Sequence, residues 1–97
     1  MKKKNEKPEL SAEVMHPDGR TERVYPTGNR WSLHELQKLV GGYIELVGLA
    51  PAHGHDRCAV VNEEGHRLEL PLNPGASLLL GQAIVGPVVI IRSDLLD

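Results

Sequence analysis

Trp31-Ser-Leu-His-Glu-Leu-Gln-Lys-Leu-Val-Gly-Gly-Tyr-Ile-Glu-Leu-Val47 writes a capped helix, a stop and a strand in one short stretch. Ser32 is placed as the cap. Its hydroxyl can accept from the Glu35 N–H while the Glu35 carboxylate reaches back to the Ser32 N–H. Leu33, Leu36, Leu39 and Val40 recur at helical spacing, and His34, Glu35, Gln37 and Lys38 take the other face. Gly41 can supply the left-handed conformation that ends such a helix. The spacing therefore predicts a helix over 32–40, with Trp31 and Leu36 as a hydrophobic staple across its start. After Gly42, Tyr43-Ile-Glu-Leu-Val47 alternates, with Ile44 and Leu46 on one face and Tyr43, Glu45 and Val47 on the other.

Outward from this stretch the chain is mostly strand and turn. His16-Pro-Asp-Gly19 is a turn signature between Leu10 and Tyr25, so residues 10–25 read as a β-hairpin. Residues 48–56 form a Gly/Pro/His loop. Arg57-Cys-Ala-Val-Val-Asn62 reads as a strand pairing antiparallel with 43–47, since no helix separates them. Glu63-Glu-Gly65 is a turn, and His66 to Leu70 reads as extended. Asn73 resembles a helix cap with Pro74 at the first helical position, opening a short helix of about 74–80 that Gly81 ends. Ile84 to Ile91 is almost wholly apolar and β-branched, as a buried strand would be, entered at Gly86-Pro87. The fold class is thus α+β: a mainly antiparallel sheet with two helices, in the order β-β-α-β-β-α-β. Residues 1–9 are expected as a flexible basic leader and 10–97 as one domain.

The bulk properties fit that scheme. Leu, Ile and Val total 27 of 97 residues and there is no Phe, so the core must be aliphatic. Four lysines lie in the first seven residues, whereas from Pro8 onward there are 7 basic and 12 acidic residues. An acidic body is a poor match for a phosphate backbone, so nucleic acid is not an expected partner beyond the leader. One cysteine excludes an intrachain disulfide, no apolar run approaches the roughly 20 residues of a membrane span, and the leader has no apolar signal core. A cytoplasmic chain without a membrane partner is the expectation.

Several pieces together resemble one family of short bacterial and phage proteins. They are Tyr25-Pro26, the block from Leu33 to Val47, Val60-Val-Asn-Glu-Glu-Gly65, Leu70-Pro-Leu-Asn73 and Ile84-Val-Gly86, in that order. The chain is similar to the domain of unknown function DUF3846 over roughly residues 24–91. The resemblance implies a small α+β module encoded by phages, plasmids and their hosts. It brings no activity and no catalytic residues. The loop Ala50-Pro-Ala-His-Gly-His-Asp56 looks longer and richer in histidine than the usual family pattern, and Ala76-Ser77 stands where Ala-Thr is common.

Candidate chemistry is sparse. His53, His55, Asp56 and Cys58 are zinc-competent donors within six residues, yet their spacing matches no finger or ribbon pattern. A polar loop beside a buried cysteine is the expectation, with no cofactor. Asn73, Gly75, Ala76 and Ser77 could present helix N-terminal N–H groups to a small anionic ligand such as a nucleotide. The competing expectation is that the Asn73 side chain takes those donors itself. Glu63, Glu64 and His66 offer acid/base groups but read as a solvated hairpin tip. Trp31 beside Arg30 would make a contact hot spot if exposed.

No nucleophile motif, phosphate loop or dinucleotide fingerprint is present. The expected function is a non-enzymatic interaction module of a mobile-element type, acting by protein binding or self-association. A small-ligand binder using the 73–77 turn comes second. A nucleic-acid accessory working through the leader comes third.

Overall fold

The computed structural model describes residues 3–49 and 56–97. Its elements are β1 (Ala12–Met15), β2 (Thr21–Val24), α1 (Leu33–Val40), β3 (Ile44–Gly48), β4 (Arg57–Asn62), α2 (Pro74–Leu80) and β5 (Val88–Arg92), with 3-10 turns at Pro8–Leu10 and Ser93–Leu95. The five strands form one sheet in the order β2-β1-β5-β4-β3, and every neighbouring pair is antiparallel. The order β-β-α-β-β-α-β and both helices stand as the sequence indicates.

The last strand in sequence lies at the centre of the sheet. Val88, Val89, Ile90 and Ile91 are all buried because β5 is covered on both faces. That is why its sequence is continuously apolar rather than alternating. Val89 and Ile91 join Val14, Val60, Trp31, Leu36 and Val40 in the core under α1. Val88 and Ile90 join Ala59, Val61, Ala76 and Ile84 under α2 on the opposite face. The sheet is therefore sandwiched by one helix on each side.

Local chemistry explains the helices. Ser32 accepts from the Glu35 N–H at 3.2 Å, and the Glu35 carboxylate accepts from the Ser32 N–H at 3.1 Å. Gly41 ends α1 at φ +83°, a conformation that costs a side-chain-bearing residue far more than glycine. Trp31 packs in the same core cluster as Leu36. Its indole N–H donates to the Leu10 carbonyl at 2.9 Å, and its backbone bridges to the C-terminal segment at Leu95 and Asp97.

Two expectations are corrected. Residues 66–70 are not extended. The chain turns continuously from Glu63 to Glu69, and Glu69 has φ +55°. Its backbone groups bond locally instead: the Leu68, Glu69 and Leu70 N–H groups donate to the carbonyls of Glu64, His66 and Gly65. β5 starts at Val88 rather than Ile84. Pro87 has no N–H to donate, Gly86 sits at φ +76°, and Val85 makes only a lone bridge with Leu72.

Candidate functional site

Among the described residues the sequence candidates do not converge on one site. His53 and His55 lie outside the described residues. Asp56 stands at the entry to β4, where its backbone carbonyl accepts from the Ser93 N–H. Cys58 is buried in the core cluster under α1, among aliphatic side chains. Among the described residues no three His, Cys, Asp or Glu side chains gather as a metal ion would require. Glu64 is held by Arg67, and the His66 ring lies 3.3 Å from the Ala83 carbonyl, so the pair does not converge on one point.

The Asn73 turn is a structural lock. Asn73 is almost fully buried, and its side-chain oxygen accepts from the Ala76 N–H at 3.1 Å. Its side-chain NH2 donates to the carbonyls of Met15 and Gly86, each at 2.9 Å. The Ser77 N–H donates to the Asn73 carbonyl within the helix, and the Ser77 hydroxyl both accepts from and donates to Ile84. One amide side chain thus joins β1, the approach to β5 and the start of α2. Ala76 is completely buried, and a Cβ on Gly75 would meet the Met15 methyl at 3.1 Å. Asn62 does a similar task after β4: it donates to the Val40 carbonyl at 3.1 Å and accepts from the Glu64 N–H at 2.8 Å. Its packing role was not legible, because a buried asparagine and a turn asparagine share one letter.

Trp31 is corrected as a surface contact residue. It is 1% exposed, the largest of the fully buried side chains. The staple position draws the ring into the core, and the C-terminal segment closes over its backbone. Arg30 beside it remains exposed.

The Glu35 carboxylate accepts several converging donors. Burial would raise its pKa, but N–H groups of Ser32 and Thr27, the Ser32 hydroxyl and Lys4 together outweigh burial and hold it below the ordinary value. Those partners are consumed in joining α1 to the Pro26–Gly28 loop, where Asn5 also bonds to the Pro26 and Gly28 carbonyls. The cluster is a brace, with every donor already aimed at protein.

What remains open is the outer edge of β3. β3 pairs with β4 along one side, with Leu46 opposite Val60. Among the described residues nothing pairs with its other side. Leu46 is 53% exposed and Leu33 on α1 is 56% exposed, and both line a shallow crevice with Ile44 and Leu96. Tyr43, at the start of the strand, is 65% exposed and shares a second depression with Leu68. Apolar surface therefore runs from α1 to this backbone edge.

The family model described as a domain of unknown function, DUF3846, matches residues 12–95. The chain belongs to this family. The match runs from β1 to the turn after β5, so the entire sheet, both helices and the exposed β3 edge are parts of the DUF3846 domain. No curated protein and no solved structure matches the chain. No helix among the described residues is long and apolar enough to cross a membrane.

Proposed function

We propose that this DUF3846 domain is a non-enzymatic interaction module that works by self-association through the outer edge of β3. The observation that supports this reading is the pairing of an open strand edge with exposed Leu46 and Leu33 beside it. An edge strand offers unpaired N–H and C=O groups that another strand can complete, and adjacent apolar side chains add area to the junction. The phage and plasmid setting that the resemblance implies fits a small adaptor of this kind. The 73–77 turn gives an anion-binding reading less support, since Asn73 and the helix already use the Ala76 and Ser77 N–H groups.

The test is sedimentation velocity over a wide concentration range. The expected result is a mass rising from the 10.7 kDa chain toward twice that value. A chain that stays monomeric at the highest concentration overturns the proposal.

A further inference from the structure

The backbone phase of β3 specifies how two copies would meet. The Glu63 N–H donates to the Tyr43 carbonyl at 2.8 Å, so Tyr43 and Glu63 form a hydrogen-bonded pair of the β3–β4 ladder. In an antiparallel ladder such pairs alternate with non-hydrogen-bonded ones. Glu45 and Val47 therefore also aim their backbone groups at β4, where their partners are Val61 and Ala59. Ile44, Leu46 and Gly48 aim theirs outward, at the open edge.

From this phase we infer that two copies pair antiparallel along β3 about a two-fold axis at Leu46. The inference rests on the self-association reading and names its geometry. Two symmetric strands can pair through outward groups only in registers centred on a strand residue. A centre at Glu45 would set two carboxylates directly opposite each other, in the non-hydrogen-bonded position where side chains come closest. A centre at Ile44 or Gly48 would leave half of each strand overhanging, and a centre at Val47 would leave Ile44 and Glu45 without partners in the strand and keep only the two Leu46–Gly48 pairs. A centre at Leu46 uses all of Ile44–Gly48.

In that register Leu46 faces Leu46 of the second copy, Ile44 faces Gly48, and Glu45 faces Val47. The three outward pairs exchange about six backbone hydrogen bonds. Leu46 lies on the α1 face of the sheet with Ile44. The two crevices lined by Leu33 and Leu46 thus become continuous across the axis, and the two sheets become one of ten strands. No like charges stand opposite each other along the junction.

Cysteine pairs read the register directly. In a Cys58→Ala background, E45C and V47C are oxidised separately and as a mixture. The directly opposed Glu45 and Val47 positions are about 4.5 Å apart between Cα atoms, inside the disulfide range. Two Glu45 positions stand two residues further along and exceed the roughly 7 Å limit. Cross-linked dimer in the mixture, with little in either variant alone, is the expected result. Cross-linking of E45C alone or of V47C alone overturns the Leu46 axis while leaving self-association intact. A dimer by sedimentation that cross-links in no combination places the interface elsewhere and overturns the register. A strict monomer overturns both readings.

Amide exchange on the unaltered chain gives an independent check that no cysteine variant can compromise. The Ile44, Leu46 and Gly48 amides should gain at least about tenfold protection as concentration rises, while those of Thr21 to Val24 stay constant. Equal behaviour of both edges would overturn the inference.

Discussion

The two edges of the sheet are written in different chemistry. β2 presents Thr21, Glu22 and Arg23, all exposed, and Glu22 is held by His16 at 3.0 Å. β3 presents Ile44, Leu46 and Val47 around a single carboxylate, Glu45. Both strands belong to hairpins of one sheet, and each leaves one side of its backbone unpaired among the described residues. Charge along an edge discourages strand addition, and its absence invites it. The contrast shows that edge exposure alone does not mark an interface. What distinguishes β3 is apolar surface continuing from the edge onto α1.

The sharpest way to break the contrast is to give β3 the chemistry of β2. Leu46→Lys places two ammonium groups face to face at the proposed axis and removes two leucines from it. Each buried leucine is worth about 1.5–3 kcal/mol, so association should weaken by about a hundredfold or more. Sedimentation should find monomer, with circular dichroism unchanged because Leu46 is half exposed in the single chain. An unaltered association constant would remove β3 from consideration.

The reverse exchange sharpens it. Glu22→Val with Arg23→Val makes both edges apolar. Open-ended growth should follow, because each copy then offers two adhesive edges that no single two-fold axis closes. Light scattering should rise with concentration well beyond the dimer. Scattering that stops at the dimer would show that side-chain charge is not what protects β2.

A third change separates fold from edge. Asn73→Ala strands the Met15 and Gly86 carbonyls and the Ala76 N–H inside the protein. Stability should fall by about 2–4 kcal/mol in urea unfolding. The dimer constant of the folded fraction should stay the same, since Asn73 lies at the β1–α2 junction, far along the sheet order from β3. Loss of pairing without loss of stability would contradict this assignment and point back to the 73–77 turn.

The smallest expected effect concerns Glu35. Its pKa is lowered in the folded chain, so its stabilising contribution is present above the ordinary value of 4.5 and disappears as pH falls through the lower folded value. Glu35→Gln should cost about 1 kcal/mol at neutral pH, and the difference from the unaltered chain should vanish in acid. Urea midpoints across the acid range check it. A constant gap at all pH values would mean that the carboxylate charge is not what braces α1.

Much of the fold was legible because its signals are local. Ser32, Glu35 and Gly41 bound a helix by hydrogen bonds reaching only three or four residues along the chain. The Pro17-Asp18-Gly19 turn fixes the first hairpin in the same way. The segment 66–70 is not a strand because alternation reports which residues could pair, while the Leu68, Glu69 and Leu70 N–H groups find carbonyls within five residues along the chain. The Trp31–Leu36 staple is local, yet whether the Trp31 ring meets water depends on Leu10 and the C-terminal segment, both distant in sequence. The candidate surface was legible only as a strand. Nothing in Ile44-Glu-Leu-Val-Gly48 states whether the strand lies inside a sheet or at its edge.

The sequence by itself determined the elements, their order and their caps, because propensity, periodicity and turn chemistry act over a few residues. It also determined that Leu46 and Ile44 share a face, since pleat parity is local. Only the tertiary structure decided that β5 enters between β1 and β4, which pushes β3 to the rim. That insertion depends on burying the apolar faces of Val88 to Ile91 against both helices at once. Strand order is set by such long-range burial, and it is strand order that leaves Leu46 at an open edge.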